Sequence, residues 1–451
     1  MTAGTVSGDR IGPRIVVAGV ASGVGKTTGA TGLMAALRIR GTRVAAAKIG
    51  PDFIDPGYHS LATGRPPRNL DPWLCGPTAV PPLAARAARG ADLLIAEGVM
   101  GLFDGADDGS VSSTADVAVL LDAPVVLVVD AAGMSASIAA MVRGFRDHDP
   151  RVRLAGVIAN RVGSDRHERL LRRALEGVGV PVLGCLRRDD AFTWRDRHLG
   201  LVPVSERPAD VTRSLDRLAA AVERSVDLRA VTRVAAAAPA LTVGPPPTAA
   251  PVGRCRLAVA AGPAFTFSST DNLEQLEAAG AELVRFDPRS DPTLPADIDG
   301  LVVGGGFPEM FGEELADNRP LLGDARRRID AGLPTWAECG GLLWLAADLD
   351  GRAMVGAVPA SAGFGSRPRI GYRRVTTLAP SPIGPAGTRF RGHEHHYTSC
   401  TPAGTAMSVT GTHHRGTDGF ATPTLLAGYV HHHAGGDPDL TEAFVRTCTA
   451  G

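Results

Sequence analysis

The β-branched run Ile15-Val16-Val17-Ala18 empties into Gly19-Val20-Ala21-Ser22-Gly23-Val24-Gly25-Lys26-Thr27-Thr28, and a helical stretch over 30–37 follows. A strand, a glycine loop and Gly-Lys-Thr opening a helix form a phosphate cradle, because main-chain N–H groups and the positive helix end all face the anion. Lysine usage sharpens the assignment. Only two of the 47 basic side chains are lysine, Lys26 and Lys48. An ammonium is a compact charge on a slim stem, and a planar guanidinium cannot replace it in a tight cradle. Lys26 is therefore expected on the β- and γ-phosphates of ATP or GTP, Thr27 on Mg²⁺, with Gly23, Gly25 and Thr28 completing the loop. The first glycine, Gly19, lies one residue further back than the usual loop spacing requires.

Short apolar runs at 44–47, 93–96, 125–129 and 154–158 alternate with longer Ala/Leu/Arg stretches of helical character. That alternation predicts an α/β fold with a parallel sheet covered by helices on both faces. The text then changes to Ala235-Ala236-Ala237-Ala238-Pro239 and Gly244-Pro245-Pro246-Pro247, read as an inter-domain linker. A second α/β pattern begins at Arg256-Leu257-Ala258-Val259-Ala260. The expected organisation is an ATP-binding domain over 12–228, a linker over 229–252 and a second domain over 253–451.

Acids cluster beside the loop. Asp52 and Asp55 follow Lys48, and Glu97-Gly98-Val99-Met100-Gly101-Leu102-Phe103-Asp104-Gly105 follows a strand. An acid at the C-terminal end of a parallel strand faces the ligand crevice, so Glu97 is expected as a second Mg²⁺ ligand. Asn160, at another strand end, is placed to read the nucleotide base. In the second half, Pro334-Thr335-Trp336-Ala337-Glu338-Cys339-Gly340-Gly341 reads as a nucleophile elbow, a strand turning sharply into a helix that lowers the thiol's pKa. The N–H groups of Gly306, in Gly304-Gly305-Gly306, and of Gly340 can form an oxyanion hole. Tyr429-Val430-His431-His432-His433 supplies the base, with His431 first and His433 the alternative.

Formal net charge is zero, which gives no electrostatic argument for nucleic acid or an anionic membrane. The first ten residues lack an apolar run, so no secretory signal is expected. Six scattered cysteines argue for a reducing cytoplasm and against a zinc site or disulfide framework.

The N-terminal loop spacing resembles dethiobiotin synthetase and its relatives, and the Cys339 half resembles class I glutamine amidotransferases. Those enzymes usually carry His-x-Glu, whereas His433 stands two residues after His431. Across nearly the whole chain the pattern resembles the cobyrinic/hydrogenobyrinic acid a,c-diamide synthases. The segments carrying this are Lys48–Pro56, Asn69-Leu70-Asp71, Glu97–Gly105 and Arg391-Gly392-His393-Glu394-His395-His396-Tyr397. The resemblance implies ATP- and glutamine-dependent amidation of two corrinoid acetates through acyl phosphates, in a homodimer. It puts Lys48 on the transferred phosphate, Asp52, Asp55 and Asp104 in catalysis, and Asp52 among the Mg²⁺ ligands as well. An arginine-rich, high-GC style suggests an aerobic bacterium and hence metal-free hydrogenobyrinic acid, with cobyrinic acid or a nickel tetrapyrrole as alternatives. Partition-type ATPases share Gly-Val-Gly-Lys-Thr-Thr, but they carry a lysine where this chain has Ala21 and lack a cysteine elbow.

Overall fold

The computed structural model describes residues 9–188, 196–197, 200–201 and 208–450. Two compact units result, one from the described residues up to 196 and from 208 to 246, the other from 197, 200–201 and Pro247 onward. In the first, seven strands form one parallel sheet in the order Arg68–Leu70, Val44–Ile49, Leu93–Glu97, Arg14–Gly19, Val125–Asp130, Leu154–Val162, Val182–Arg187. Arg14–Gly19 and Val44–Ile49 are buried along their whole length. Both sheet faces are covered, so these strands carry unbroken apolar runs. Arg68–Leu70 and Val182–Arg187 are edge strands that the apolar pattern did not mark.

The Ala/Pro-rich stretch is not a free linker up to residue 252. Asp227 caps helix Leu228–Ala236 by accepting from the Ala230 N–H, and the helix buries Leu228, Val231 and Ala235. Strand Leu241–Val243 then pairs antiparallel with Asp9–Ile11. Alanine is the best helix former, and three apolar side chains at helical spacing gave it a face to bury. The unit closes through Arg14, which is 1% exposed. Its guanidinium donates to the carbonyls of Leu121 (2.5 Å), Gly12 (2.9 Å) and Pro239 (2.7 Å).

The second unit has a six-stranded sheet in the order Ala281–Phe286, Cys255–Ala260, Gly300–Val303, Thr335–Glu338, Leu425–Gly428, Phe420–Thr422. The first five are parallel and the last is antiparallel. A second sheet is built on a long antiparallel ribbon, Ser361–Thr377 with Arg389–Thr401. His431–His432 joins its edge, pairing His393 with His431 and Gly392 with His432. Among the described residues no helix is long and apolar enough to cross a membrane.

Replacing Arg14 with leucine should destabilise the first unit by about 2–4 kcal/mol, because buried carbonyls lose their donor. Urea unfolding followed by circular dichroism measures it, and a loss confined to a few tenths would count against the clamp.

Candidate functional site

Strands Arg14–Gly19, Val44–Ile49 and Leu93–Glu97 run parallel and adjacent, so the loops at their C-terminal ends meet. Gly25 has φ +91°, and a Cβ there would lie 2.1 Å from Asn160 Nδ2, so only glycine fits. Lys26 Nζ curls over the loop and donates to the Ala21 carbonyl at 2.9 Å. Burial, with Lys48 adding to it, lowers Lys26 to about 8. Thr27 Oγ1 lies 2.7 Å from Glu97 Oε1 and 3.0 Å from Asp55 Oδ2. Lys48 Nζ stands between the same two carboxylates, 2.5 Å from Asp55 Oδ2 and 3.0 Å from Glu97 Oε1.

The surroundings divide the charges. Burial tends to discharge both Lys48 and Glu97, but at Lys48 attraction to Asp55 and then to Glu97 outweighs it, and at Glu97 attraction to Lys48 and then the His59 hydrogen bond does. Lys48 is thereby held above the usual lysine range and Glu97 well below the usual carboxylate range. Asp55 moves the other way, up to about 7, because burial and then Asp52 outweigh Lys48. Asp52 serves the turn that opens helix Asp55–Thr63. Its Oδ1 accepts from the N–H groups of Ile54 and Asp55, and its Oδ2 is 3.8 Å from Lys48. Asp55 occupies the position next to Thr27. Asp104 Oδ2 accepts from the Gly101 N–H at 2.8 Å and acts on Lys26 through space. Asn160 donates to the Val24 carbonyl at 2.9 Å, so its amide nitrogen braces the loop.

Thr27, Asp55 and Glu97 offer hard oxygen donors of the kind Mg²⁺ takes. Among the described residues no three His, Cys, Asp or Glu side chains gather as a ready metal cage.

In the second unit Cys339 has φ +50° and ψ −102° at the start of helix Gly340–Leu345. An L-residue there is strained, and the Cys339 N–H bond to the Gly428 carbonyl at 2.7 Å helps to hold it. A Cβ on Gly340 would lie 2.9 Å from the Gly306 nitrogen, and one on Gly305 would lie 2.3 Å from His431 Cε1. Those two contacts draw the nucleophile turn, the candidate oxyanion loop and His431 into one cluster. His433 is engaged elsewhere, accepting from the Gly435 N–H at 3.0 Å with Nε2 3.8 Å from Asp271 Oδ2. The expectation of a lowered thiol pKa fails. Burial pushes the Cys339 thiol up, Glu309 adds to it, and the Gly340 N–H opposes too weakly. The helix has only six residues, too short to offset that desolvation. Burial also lowers His431 to about 3, so the ring rests neutral.

Comparison with known proteins decides between the readings these two clusters allow. Residues 15–202 match the CobQ/CobB/MinD/ParA nucleotide binding domain, and 256–439 match the CobB/CobQ-like glutamine amidotransferase domain. A hydrogenobyrinate a,c-diamide synthase of Streptomyces coelicolor is 46% identical over 97% of each chain. That of Thermobifida fusca is 46% identical over 96% of each. A cobyrinate a,c-diamide synthase of Syntrophotalea carbinolica is 45% identical over 97% of this chain and 98% of that one. The chain belongs to the a,c-diamide synthase family.

Several segments by which the chain resembles the diamide synthases turn out to be framework. Asn69 Nδ2 donates to the carbonyls of Gly50 (2.9 Å) and Asp52 (2.7 Å), fixing the turn that carries Asp52 and Asp55. Asp71 caps a helical turn by accepting from Trp73 and Leu74. In the Arg391–Tyr397 segment, Glu394 pairs with Arg373 Nε at 2.5 Å. The sequence reading missed His59, fully buried with Nε2 2.6 Å from Glu97 Oε2. Its position four residues after Asp55 on one helix was the available signal, since such residues share a face.

Lys48→Met should leave Asp55 and Glu97 facing each other without their cation. An expected loss of about 3–5 kcal/mol of unfolding free energy follows. Urea titration of this variant against the parent chain would show it, and unchanged stability would mean the carboxylates are neutralised by another route.

Proposed function

We propose that the chain uses ATP and glutamine to amidate the a- and c-acetate carboxylates of hydrogenobyrinic acid in cobalamin biosynthesis. A substrate carboxylate oxygen attacks the γ-phosphorus of ATP, ADP leaves, and an acyl phosphate forms. Ammonia then attacks the acyl carbon, inorganic phosphate leaves, and the amide remains. Lys26 and Lys48 neutralise charge on the transferred group, and Thr27, Asp55 and Glu97 are the residues that would hold Mg²⁺. When bound, Mg²⁺ supplies charge neutralisation and alignment of the phosphates. Asp52 orders the turn, Asp104 faces the loop with Lys26, and the oxygen side of the Asn160 amide is left for the base.

Ammonia comes from the second unit. Cys339 gives its proton to His431 and attacks the glutamine amide carbon. The tetrahedral oxyanion rests on the N–H groups of Gly306 and Gly340, and ammonia departs to leave a thioester that water hydrolyses. The observation carrying this reading is the meeting of Thr27, Lys48, Asp55 and Glu97 at a phosphate loop, in a chain that also builds the Cys339 turn against His431. Two further elements belong to the same reading. A cytoplasmic setting is supported by six free cysteines, all buried. For a homodimer, the exposed Phe364 and Ile370 on the ribbon offer contact surface.

Cys339→Ala should abolish glutamine-driven amidation while amidation with added ammonium salt continues, measured by mass spectrometry of the corrinoid products. Loss of both activities would reject the division into two half-reactions. Cobyrinic acid is the second substrate reading, favoured by the 45% identity to the Syntrophotalea carbinolica enzyme. Turnover of the metal-free and cobalt acids side by side should give the higher kcat/KM for the metal-free one.

A further inference from the structure

A glutaminase histidine needs a partner on its second nitrogen. While one ring nitrogen takes the thiol proton, the other must donate to an acceptor that fixes the ring's tautomer and tilt and stabilises the cation. In relatives with His-x-Glu that acceptor follows the histidine by two residues, where this chain has His433. His433 already uses Nδ1 to accept from the Gly435 N–H, and its Nε2 faces Asp271.

Three carboxylates act on the cluster. Glu394 is committed: burial pushes it up, but His396 and Arg373 outweigh burial and hold it at about 2. Arg373 takes its Oε2 at 2.5 Å. Glu309 acts on the Cys339 thiol, on the oxyanion-loop side. The third is Glu338, the residue immediately before the nucleophile. Its Oε2 lies 3.9 Å from His431 Nδ1, and its Oε1 accepts from the main-chain N–H of His432 at 3.2 Å.

The sheet explains why a residue beside the cysteine can serve the histidine. Thr335–Glu338 and Leu425–Gly428 are neighbouring parallel strands in register, with Glu338 opposite Gly428. His431 lies three residues past Gly428, so one turn of chain brings it alongside the end of the cysteine strand.

We infer that Glu338 is the positioning residue of the glutaminase site, an acceptor for His431 Nδ1–H supplied by the nucleophile's strand rather than the histidine's own. The inference rests on the glutaminase reading of Cys339 and His431. The 3.9 Å separation closes to a hydrogen bond on a shift of about 1 Å, a tightening expected when substrate fills such a site. Burial raises Glu338 to about 8, which favours the neutral carboxyl at rest, whereas an imidazolium forming beside it favours the ionised acceptor. The same carboxylate, through Oε1, fixes the backbone at His432 and therefore the strand that presents His431.

Glu338→Gln separates positioning from architecture. A glutamine oxygen still accepts from the His432 N–H, while an NH₂ replaces the oxygen facing His431. The full-length variant should lose about 100-fold or more in glutaminase kcat. Its KM for glutamine and its melting temperature should stay near those of the parent. Glu394→Gln, measured alongside, should lose less. Parental kcat in Glu338→Gln, or a larger kcat loss in Glu394→Gln, would overturn the assignment. If Glu338→Gln does not fold, Glu338→Met fills the same volume without an acceptor and is read by the same kcat and KM criteria. Cys339→Ala separates the two levels of the argument. Glutamine turnover surviving in Cys339→Ala sinks the glutaminase reading itself, whereas its loss there combined with parental kcat in Glu338→Gln sinks only the role of Glu338.

Discussion

A lysine ammonium with 2% of its surface exposed, set between two carboxylates, governs the architecture of the N-terminal unit. Removing a charge from water costs several kcal/mol unless close opposite charges compensate. Lys48 therefore obliges Asp55 and Glu97 to stand within 3.0 Å of it. Those three residues come from the end of one strand, the start of a helix and the end of the next strand. Their pairing thus sets the register at the crevice, with Lys48 opposite Glu97 across the sheet. Thr27 and His59 then attach to the same carboxylates, so the phosphate loop and the first turns of helix Asp55–Thr63 follow from one electrostatic requirement.

The two sites solve the problem of buried charge in opposite ways. In the nucleotide site opposite charges stand against each other at rest: Lys48 and Glu97 are held in their charged forms, with Asp55 raised to about 7 beside them. In the cysteine site burial keeps both reacting groups neutral: the thiol is pushed up and the imidazole is pushed down. On the proposed reading charge appears there only when the proton moves, with the N–H dipoles of Gly306 and Gly340 assigned to receive it. Neutral resting groups also keep a buried thiol from reacting as a free thiolate would.

What could be read from the sequence follows from how local each signal is. Buried parallel strands announce themselves as continuous apolar runs, so Val44–Ile49, Leu93–Glu97 and Cys255–Ala260 were legible within two residues. The phosphate loop and the Cys339 turn were legible because glycines are forced there by close backbone approaches. His59 was harder to read, since its spacing from Asp55 marks only a shared helix face while its partner Glu97 lies far along the chain. Asp52 and Asp55 could not be told apart by composition, because which one bonds the turn and which one meets Thr27 is decided by three dimensions. The ribbon Ser361–Thr377 with Arg389–Thr401 escaped notice because arginines and histidines crowd its strands and mask the alternation that marks a sheet surface. The Ala/Pro-rich text reads as a linker because its composition offers no core, although Leu228, Val231 and Ala235 stand at helical spacing and are buried on one helix.

The pairing of Asp9–Ile11 with Leu241–Val243 means that the first unit is sealed by its own two ends. Trimming the chain at a boundary chosen from composition, near residue 228, would remove the partner of the opening strand and the helix that covers Leu33 and its neighbours' face of the sheet. The stump would present a row of unsatisfied main-chain N–H and C=O groups, which is a template for intermolecular β-pairing. Insolubility of such a fragment would therefore report a broken seam and not an inability of the nucleotide-binding sheet to fold. A cut after Pro246 leaves the seam whole.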